Sequence, residues 1–159
     1  MNKNKNRGIS IIEILIVISI IVALSAIVIP SFSSFHKQQA LKNTTEDIVS
    51  LLNEARNNTI SSKNSNTYGV HFDNNKAILF SGISFVDSPS NKQIDFDSVV
   101  IVPESGGINL MSGGSDVTFT RITGDTQEGE YGTIVVQLVS DSAKHKTINI
   151  NKIGVISSN

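Results

Sequence analysis

The chain has 159 residues, a net charge of −1, no cysteine and a mean hydropathy of +0.04. This length suits one domain with at most an appendage. The lack of cysteine excludes a disulfide framework, thiolate zinc sites and cysteine nucleophiles, and the charge gives no support for a strongly basic nucleic-acid binder. The averages conceal an asymmetry, because Lys3, Lys5 and Arg7 give residues 1–8 a charge of +3 and leave −4 on the remainder.

An apolar run from Ile9 to Ile29 follows this basic segment, interrupted only by Ser10, Glu13, Ser19 and Ser25. As a helix, 21 residues extend about 31 Å, which matches the hydrocarbon core of a bilayer. The run is apolar on every side, which is typical of a helix in lipid or inside a protein assembly. Basic residues before it favour a cytoplasmic amino terminus and an exported remainder.

Three interpretations of this segment compete. The first is a simple membrane anchor. The second is a secretory signal peptide with a small-x-small cleavage site at residues 23–25, although apolar residues resume directly after that site and Glu13 lies inside the apolar region. The third uses the residues that the first two leave unexplained.

Those residues are Arg7-Gly8-Ile9-Ser10-Ile11-Ile12-Glu13, a basic leader that ends in glycine, followed by the apolar run with a glutamate close to its start. This pattern resembles the class III leader of type IV prepilins and pseudopilins. The resemblance implies that a membrane aspartyl peptidase cuts the Gly8–Ile9 bond and N-methylates Ile9. Family members usually carry Phe or Met at that first position, so Ile9 is a departure from the pattern.

Glu13 also has a physical argument of its own. An ionised carboxylate at membrane depth costs at least about 2.5–3.5 kcal/mol, so it is normally paired or functional. Cleavage before Ile9 creates a positive amine four residues away, on the same helix face. Glu13 could pair with that amine, with the amine of a neighbouring subunit, as the resemblance favours, or it could be a tolerated residue near the membrane interface.

Beyond the apolar run, helical periodicity continues, since Leu41, Ile48, Leu52 and Ala55 recur on one face. The pattern fades in a polar cluster at residues 61–66, so we predict one helix from Ile9 to Ile60. Pro30 removes a backbone hydrogen bond from a helix. It is either a helix stop or, as the resemblance implies, a kink or locally melted segment in a longer helix.

The rest of the chain is predicted to form β structure. Residues 68–72 and 76–80 flank a turn at 73–75 and predict a hairpin. Because the segments are short and lack intervening helices, the sheet should be mainly antiparallel. The other predicted strands are Gln93–Val102, Val117–Ile122, Thr133–Ser140 and Lys146–Ile150, the last two joined by a turn at Asp141–His145, with Ile153–Ile156 as a possible extension.

Two further segments narrow the resemblance. Residues 51–60 resemble the helix end of the H-type minor pseudopilins of type II secretion and of the FimT-type minor pilins, and residues 147–156 are similar to their strand–glycine–strand ending. The resemblance implies an α+β type IV pilin fold, with a long amino-terminal helix packed on an antiparallel sheet. The expected parts are a cleaved leader (1–8), a transmembrane and polymerisation helix (9–29), the amphipathic half of the helix (30–62) and an extracytoplasmic β-sheet head (63–159).

Sites for chemistry are sparse. His36, His71 and His145 lack neighbours at metal-ligand spacing, and the alternation around His71 places it on an exposed strand face. Asp125, Glu128 and Glu130 crowd one segment, as oxygen ligands of Ca²⁺ do, but match no loop motif and are expected to form a solvated turn. We therefore predict no metal site, no cofactor and no catalytic residue.

The predicted function is that of a structural subunit, a minor pilin or pseudopilin of a type IV pilus or a type II secretion filament. The resemblance implies as partners other pilin subunits, the prepilin peptidase, an inner-membrane assembly platform and the membrane itself. The chain would reside in the bacterial inner membrane with its head outside, then in the filament. Variable loops are expected at Ser81–Gln93, Ser105–Asp116 and Gly124–Gly132.

Two alternatives belong to other classes. A DNA-uptake or adhesion pilin would bind its ligand through the head, and DNA would require clustered cations, for which Lys144, Lys146 and Lys152 are the candidates. A membrane-anchored hydrolase would require a nucleophile and a base, and the sequence shows no such set.

Overall fold

The computed structural model describes residues 9–159, except for the side chains of residues 26–31. The chain forms two compact units, Met1–His36 and Lys37–Asn159.

One helix, α1, extends from Ile11 to Ile60 over 50 residues. It begins where the N–H groups of Glu13 and Ile14 donate to the carbonyl of Ser10. The predicted helix is confirmed, starting two residues later than expected. The interpretation of Pro30 as a helix stop is wrong, because the helix continues through this residue; the local kink stays a prediction.

A single 3-10 turn at Lys63–Ser65 leads into the β structure, where the described part of the chain forms nine strands. They are β1 (Tyr68–Phe72), β2 (Lys76–Ser81), β3 (Lys92–Asp95), β4 (Val100–Ile101), β5 (Ile108–Leu110), β6 (Asp116–Thr118), β7 (Gly132–Leu138), β8 (Asp141–Ile150) and β9 (Ile156–Ser158). Every pairing between them is antiparallel, as predicted.

The strands divide into two sheets. The first has the order β3-β2-β1-β6 and is built on the predicted hairpin, in which Phe72 pairs with Ala77. The second is built on the β7–β8 hairpin, with β9 beside β8 and with β4 and β5 both beside β7. The sequence predicted the strands of both hairpins, but not their separation into two sheets.

Two predicted strands are shorter than expected. The segment Gln93–Val102 is divided between β3 and β4, which belong to different sheets. A turn at Asp97 separates them, since its carboxylate accepts from the N–H of Val99 and its carbonyl from the N–H of Val100. The strand predicted at Val117–Ile122 ends at Thr118, because the chain then enters a tight turn in which Thr120 N–H donates to the Asp125 carbonyl.

Three further differences concern the second sheet. The connection predicted at Asp141–His145 lies within β8, because Leu138 pairs directly with Asp141 and the extra residues form a bulge. The extension predicted at Ile153–Ile156 is a turn that leads into β9. A short strand, β5, was missed inside the glycine-rich segment predicted as the loop Ser105–Asp116.

The core lies in the unit Lys37–Asn159, between the second half of α1 and the sheets. The predicted helix face is confirmed, since Leu41, Ile48, Leu52 and Ala55 are each 5% exposed or less. The strands contribute large buried side chains on the facing side, among them Phe72, Phe119, Ile134, Leu138 and Ile148. Burial of this apolar surface is the main stabilising term available to a chain without disulfides.

Candidate assembly and interaction surfaces

The predicted processing and assembly residues lie at the start of the helix. Gly8 lies outside the described residues. Ile9 precedes α1 and is 73% exposed, and Glu13 is an exposed residue of the first turn. Four residues therefore separate the Glu13 carboxyl group from the amine that cleavage would create at Ile9. Their pairing stays a prediction.

The described part of the apolar helix exposes its side chains all round. The large hydrophobic residues from Ile11 to Leu24 are each 48% exposed or more. The hydroxyls of Ser19 and Ser25 donate to the carbonyls of Leu15 and Ile21, one turn back, so the serines need no outside partner in an apolar environment. Of the residues that the structure describes, no helical stretch combines the length and the apolarity that crossing a membrane requires.

In the head, Arg56 joins the end of α1 to two distant turns. Its Nε donates to the carbonyl of Gly124 at 2.9 Å and its Nη2 to that of Ile153 at 3.4 Å. Gly154 has φ +71°, and a Cβ added there would lie 1.9 Å from the Gly124 oxygen. Only glycine fits at this position. We call Arg56, Gly124 and Gly154 the Arg56 clasp.

The Arg56 clasp contains residues from both segments that carried the narrower resemblance, residues 51–60 and 147–156. Sequence reasoning noted both segments but did not predict that they meet, because Arg56 and Ile153 are 97 positions apart. The local signal for a special backbone position was Gly154, which lies between the apolar residues Ile153 and Val155.

The environment of His71 differs from the expectation. It lies on the strand face opposite Val70 and Phe72, as the alternation indicates, but its side chain is only 21% exposed. Its Nδ1 lies 2.6 Å from the Asp116 carboxylate, and its ring stacks on Phe85 at a centroid distance of 4.0 Å. The prediction of an exposed histidine is wrong because a loop folds back over the sheet.

That loop, residues 82–91, lies within the predicted variable segment Ser81–Gln93. Phe85 anchors it through His71 and through an edge contact with Phe80, while its N–H lies 3.4 Å from the Asp116 carboxylate. Ile83 and Val86 on either side are 73% and 69% exposed. In the described residues the His71 ring is hydrogen-bonded to the Asp116 carboxylate, and no hydroxyl is hydrogen-bonded to it.

The acidic turn is less solvated than expected. Glu130 accepts hydrogen bonds from both the N–H and the hydroxyl of Thr118, which ties the turn to the edge of the first sheet. The expectation of a wholly solvated turn is therefore wrong for Glu130, whereas Glu128 is exposed. Over residues 9–159, no three His, Asp or Glu side chains come together as a metal site would require.

The three candidate lysines for DNA do not form one patch. Lys144 lies in the bulge at the start of β8, Lys146 lies within the strand, and Lys152 follows its end. An extended segment of eight residues separates the outer two by on the order of 20 Å. His36 and His145 lie far apart along the chain, and the Nδ1 of His145 contacts the carbonyl of Ser142.

The structure is similar to the crystal structure of the type IV minor pilin FimU from Pseudomonas aeruginosa strain PAO1. The TM-score is 0.56 at 14% sequence identity, and the match covers 75% of this chain and 92% of that chain. No protein-family model and no curated protein matches the sequence. The similarity shows that this chain has the type IV pilin fold, α+β with a helix packed on antiparallel sheet, and confirms the predicted fold class.

Proposed function

We propose that this chain is a non-enzymatic structural subunit, a minor pilin or pseudopilin, of a type IV pilus or type II secretion filament. The observation that carries the proposal is the fold, because 75% of this chain matches 92% of the chain in the crystal structure of a type IV minor pilin. The leader-like pattern at Arg7–Glu13 does not depend on the fold and supports the same role.

Assembly would begin with processing. The prepilin peptidase cuts the Gly8–Ile9 bond, removes the +3 leader and methylates the amine of Ile9. Glu13 then pairs with the Ile9 amine of a neighbouring subunit, which fixes the axial register of each incoming chain. A carboxylate and an amine that are both withdrawn from water stabilise this register only when they meet.

The polymerising element would be the helix Ile9–Ile29. Before assembly it lies in the inner membrane, with the head outside the cytoplasm. In the filament its all-round apolar surface exchanges lipid for neighbouring helices, so packing supplies the driving force. An inner-membrane assembly platform would extract the subunit, and the methylated Ile9 would lie inside the filament.

The head would supply contacts to other subunits and present the loops at 82–91 and 105–116. No DNA-binding role is proposed, since the candidate lysines are dispersed and the exported part carries −4.

Intact-mass measurement of the protein from a host that carries a prepilin peptidase tests the proposal. We expect loss of residues 1–8 and a methyl group on Ile9, together with recovery of the chain in a sheared filament fraction. The matched control is the same gene in a strain without the peptidase, where the leader should remain. Retention of residues 1–8 in the peptidase-positive host, or a cut near Ser25, would refute the prepilin interpretation.

A further inference from the structure

A polar cleft of about 420 Å³ lies in the head where the end of α1 meets the first sheet. Its walls come from the last turns of the helix, the 3-10 turn, the ends of β1 and β2, and the segment that joins the loop 82–91 to β3. We call it the helix-end cleft. Its volume lies within the usual range of small-molecule sites.

The floor of the helix-end cleft offers little to an apolar ligand. Tyr68, Leu79 and Phe80 lie there and are 8%, 7% and 2% exposed. Tyr68 is also held in place, because its N–H donates to the Thr59 hydroxyl at 2.8 Å and its own hydroxyl donates to the Lys63 carbonyl at 3.3 Å. Neither aromatic ring of the lining is therefore open for stacking, and recognition depends on the polar walls.

Three asparagine side chains on these walls are free to contact a ligand. Asn58 lies in the last turn of α1, and Asn64 and Asn66 lie in and just after the 3-10 turn. Within residues 9–159 none of the three side-chain amides is hydrogen-bonded to the protein, and none is sealed from solvent. Each amide offers two N–H donors and one oxygen acceptor.

The segment that carries two of these amides has a strained backbone. Ser62, Asn64 and Ser65 have φ of 50°, 52° and 59°, in the left-handed region that residues other than glycine rarely adopt. Asparagine tolerates this conformation because its short polar side chain can bond locally, so the two serines carry most of the cost. Strain of this kind is concentrated at functional sites.

The charged groups of the helix-end cleft largely cancel. Glu54 and Lys92 form an ion pair at 2.6 Å, which joins α1 to β3. Lys63 is the other cation of the lining. An anionic ligand would meet Lys63 together with the Glu54 carboxylate, and a cationic ligand would meet two lysines. The lining therefore favours an uncharged ligand.

The hydrogen-bonding groups narrow the class of ligand further. The amides of Asn58, Asn64 and Asn66 both donate and accept, and so do the hydroxyls of Ser81 and Ser90 on the same lining. Hydroxyl groups on a ligand have the same double capacity and match such a lining in many orientations. Saccharides are uncharged and dense in hydroxyls, which makes them the complementary class.

We propose that the helix-end cleft binds a neutral saccharide, with Asn58, Asn64 and Asn66 as the residues that hydrogen-bond to its hydroxyls. The Glu54–Lys92 ion pair holds the wall between α1 and β3. This site goes beyond the proposed function, because assembly through the helix requires no such cleft. A filament that carries the site would attach to glycans.

Saturation-transfer NMR on the full-length chain tests the site. The protein is held in phosphocholine micelles, because detergents with sugar headgroups would compete for the cleft. The neutral probes are lactose, maltose and chitobiose, the anionic probe is digalacturonate, and empty micelles give the background. We expect transfer to at least one neutral probe, with an affinity in the millimolar range that a few solvent-exposed hydrogen bonds provide.

Substitutions in the walls locate the binding. Asn58→Ala should weaken binding of the best probe by about five- to tenfold, as loss of one hydrogen bond predicts. Asn57→Ala is the matched control, because Asn57 is the neighbouring exposed residue of the helix and does not line the cleft. Asn64→Gly removes a second amide, keeps the left-handed backbone accessible and should weaken binding to a similar extent. Circular dichroism verifies that each variant is folded.

The pattern of probes identifies the ligand. A preference for chitobiose would indicate wall glycans, which carry N-acetylated sugars, and a preference for lactose or maltose would indicate glycans of other surfaces. Absence of transfer to every neutral probe, a preference for digalacturonate, or equal losses in the Asn58→Ala and Asn57→Ala variants would each overturn the site. None of these results bears on processing at Gly8–Ile9 or on filament formation, which test the proposed function separately.

Discussion

At the scale of single residues, the Arg56 clasp shows why one glycine is required. Gly154 combines a left-handed backbone with an approach to the Gly124 oxygen that leaves no room for a Cβ. A side chain at this position would meet two separate energetic costs. The strain of the left-handed conformation depends on φ alone, whereas the steric overlap depends on the neighbouring backbone. The chain offers glycines that carry only the first cost, so the two can be measured apart.

Gly154→Ala should destabilise the head by about 3 kcal/mol, because the left-handed conformation and the backbone overlap both oppose a methyl group. Gly113→Ala is the matched control, since Gly113 has φ +70° but open space around its Cβ position, and should cost about 1 kcal/mol. Urea unfolding of the unit Lys37–Asn159, whose core is built from its own residues, measures both. Equal losses in the two variants would show that the close approach is not a constraint.

Glu13 is the residue on which the proposed assembly depends. Glu13→Gln keeps the length of the side chain but removes the charge that would meet the Ile9 amine. We expect processing at Gly8–Ile9 to continue and the yield of sheared filaments to fall by at least about tenfold, as loss of a buried charge partner predicts. Glu46→Gln is the control on the same helix, where the side chain forms only an exposed pair with Lys42. Normal filament yield from Glu13→Gln would exclude the register role.

At the scale of elements, the loop 82–91 is held by a single aromatic anchor. Phe85 stacks on His71, which in turn contacts Asp116 on the neighbouring strand. The loop thereby presents Ile83 and Val86 outward in a fixed conformation. The conformation of the loop depends more on side chains of the first sheet than on backbone hydrogen bonds within the loop. One such backbone bond runs from the N–H of Asn91 to the carbonyl of Ser88.

Phe85→Ala should therefore loosen the loop without unfolding the sheet. Stacked aromatic pairs contribute about 0.5–1.5 kcal/mol, so amide hydrogen exchange in residues 82–91 should accelerate by roughly two- to tenfold. Val86→Ala, at an exposed position of the same loop, should leave exchange unchanged. Acceleration that extends through β1 and β2 would mean that Phe85 supports the sheet itself and not only the loop.

Elements with local signals were predictable from the sequence. The helix to Ile60 followed from its periodicity, and the β1–β2 hairpin from two apolar segments around Asp73-Asn74-Asn75. Elements defined by non-local pairing were not. Gln93–Val102 alternates like one strand, yet its halves pair with β2 and β7, and β5 becomes a strand only because β7 lies beside it.

The candidate surfaces also divide into those with a local sequence signal and those formed by segments far apart in the chain. The predicted processing pattern around Ile9 and Glu13 is contiguous, so the sequence alone is enough to predict it. The Arg56 clasp and the cover over His71 are assembled from segments far apart in the chain. The alternation around His71 correctly gave its strand face, but no local pattern indicates that Phe85 returns to cover it.

At the scale of the whole molecule, charge and hydropathy are distributed unevenly along the chain. Residues 1–8 carry +3, the apolar excess is concentrated in Ile9–Ile29, and residues 30–159 carry −3. Cohesion of the proposed filament would come mainly from the helix.

Because cohesion would come mainly from the helix, we predict that the unit Lys37–Asn159, produced alone, folds but stays monomeric at micromolar concentration. Among the described residues its core begins at Ala40, whereas the apolar run that would drive assembly, Ile9–Ile29, lies outside this unit. Light scattering coupled to gel filtration measures the mass of the unit in solution. Circular dichroism measures its stability, which should be the same with and without reductant because the chain has no cysteine. A stable dimer of the isolated unit would place the main cohesion in the heads, and an unfolded unit would show that the first 36 residues stabilise the fold.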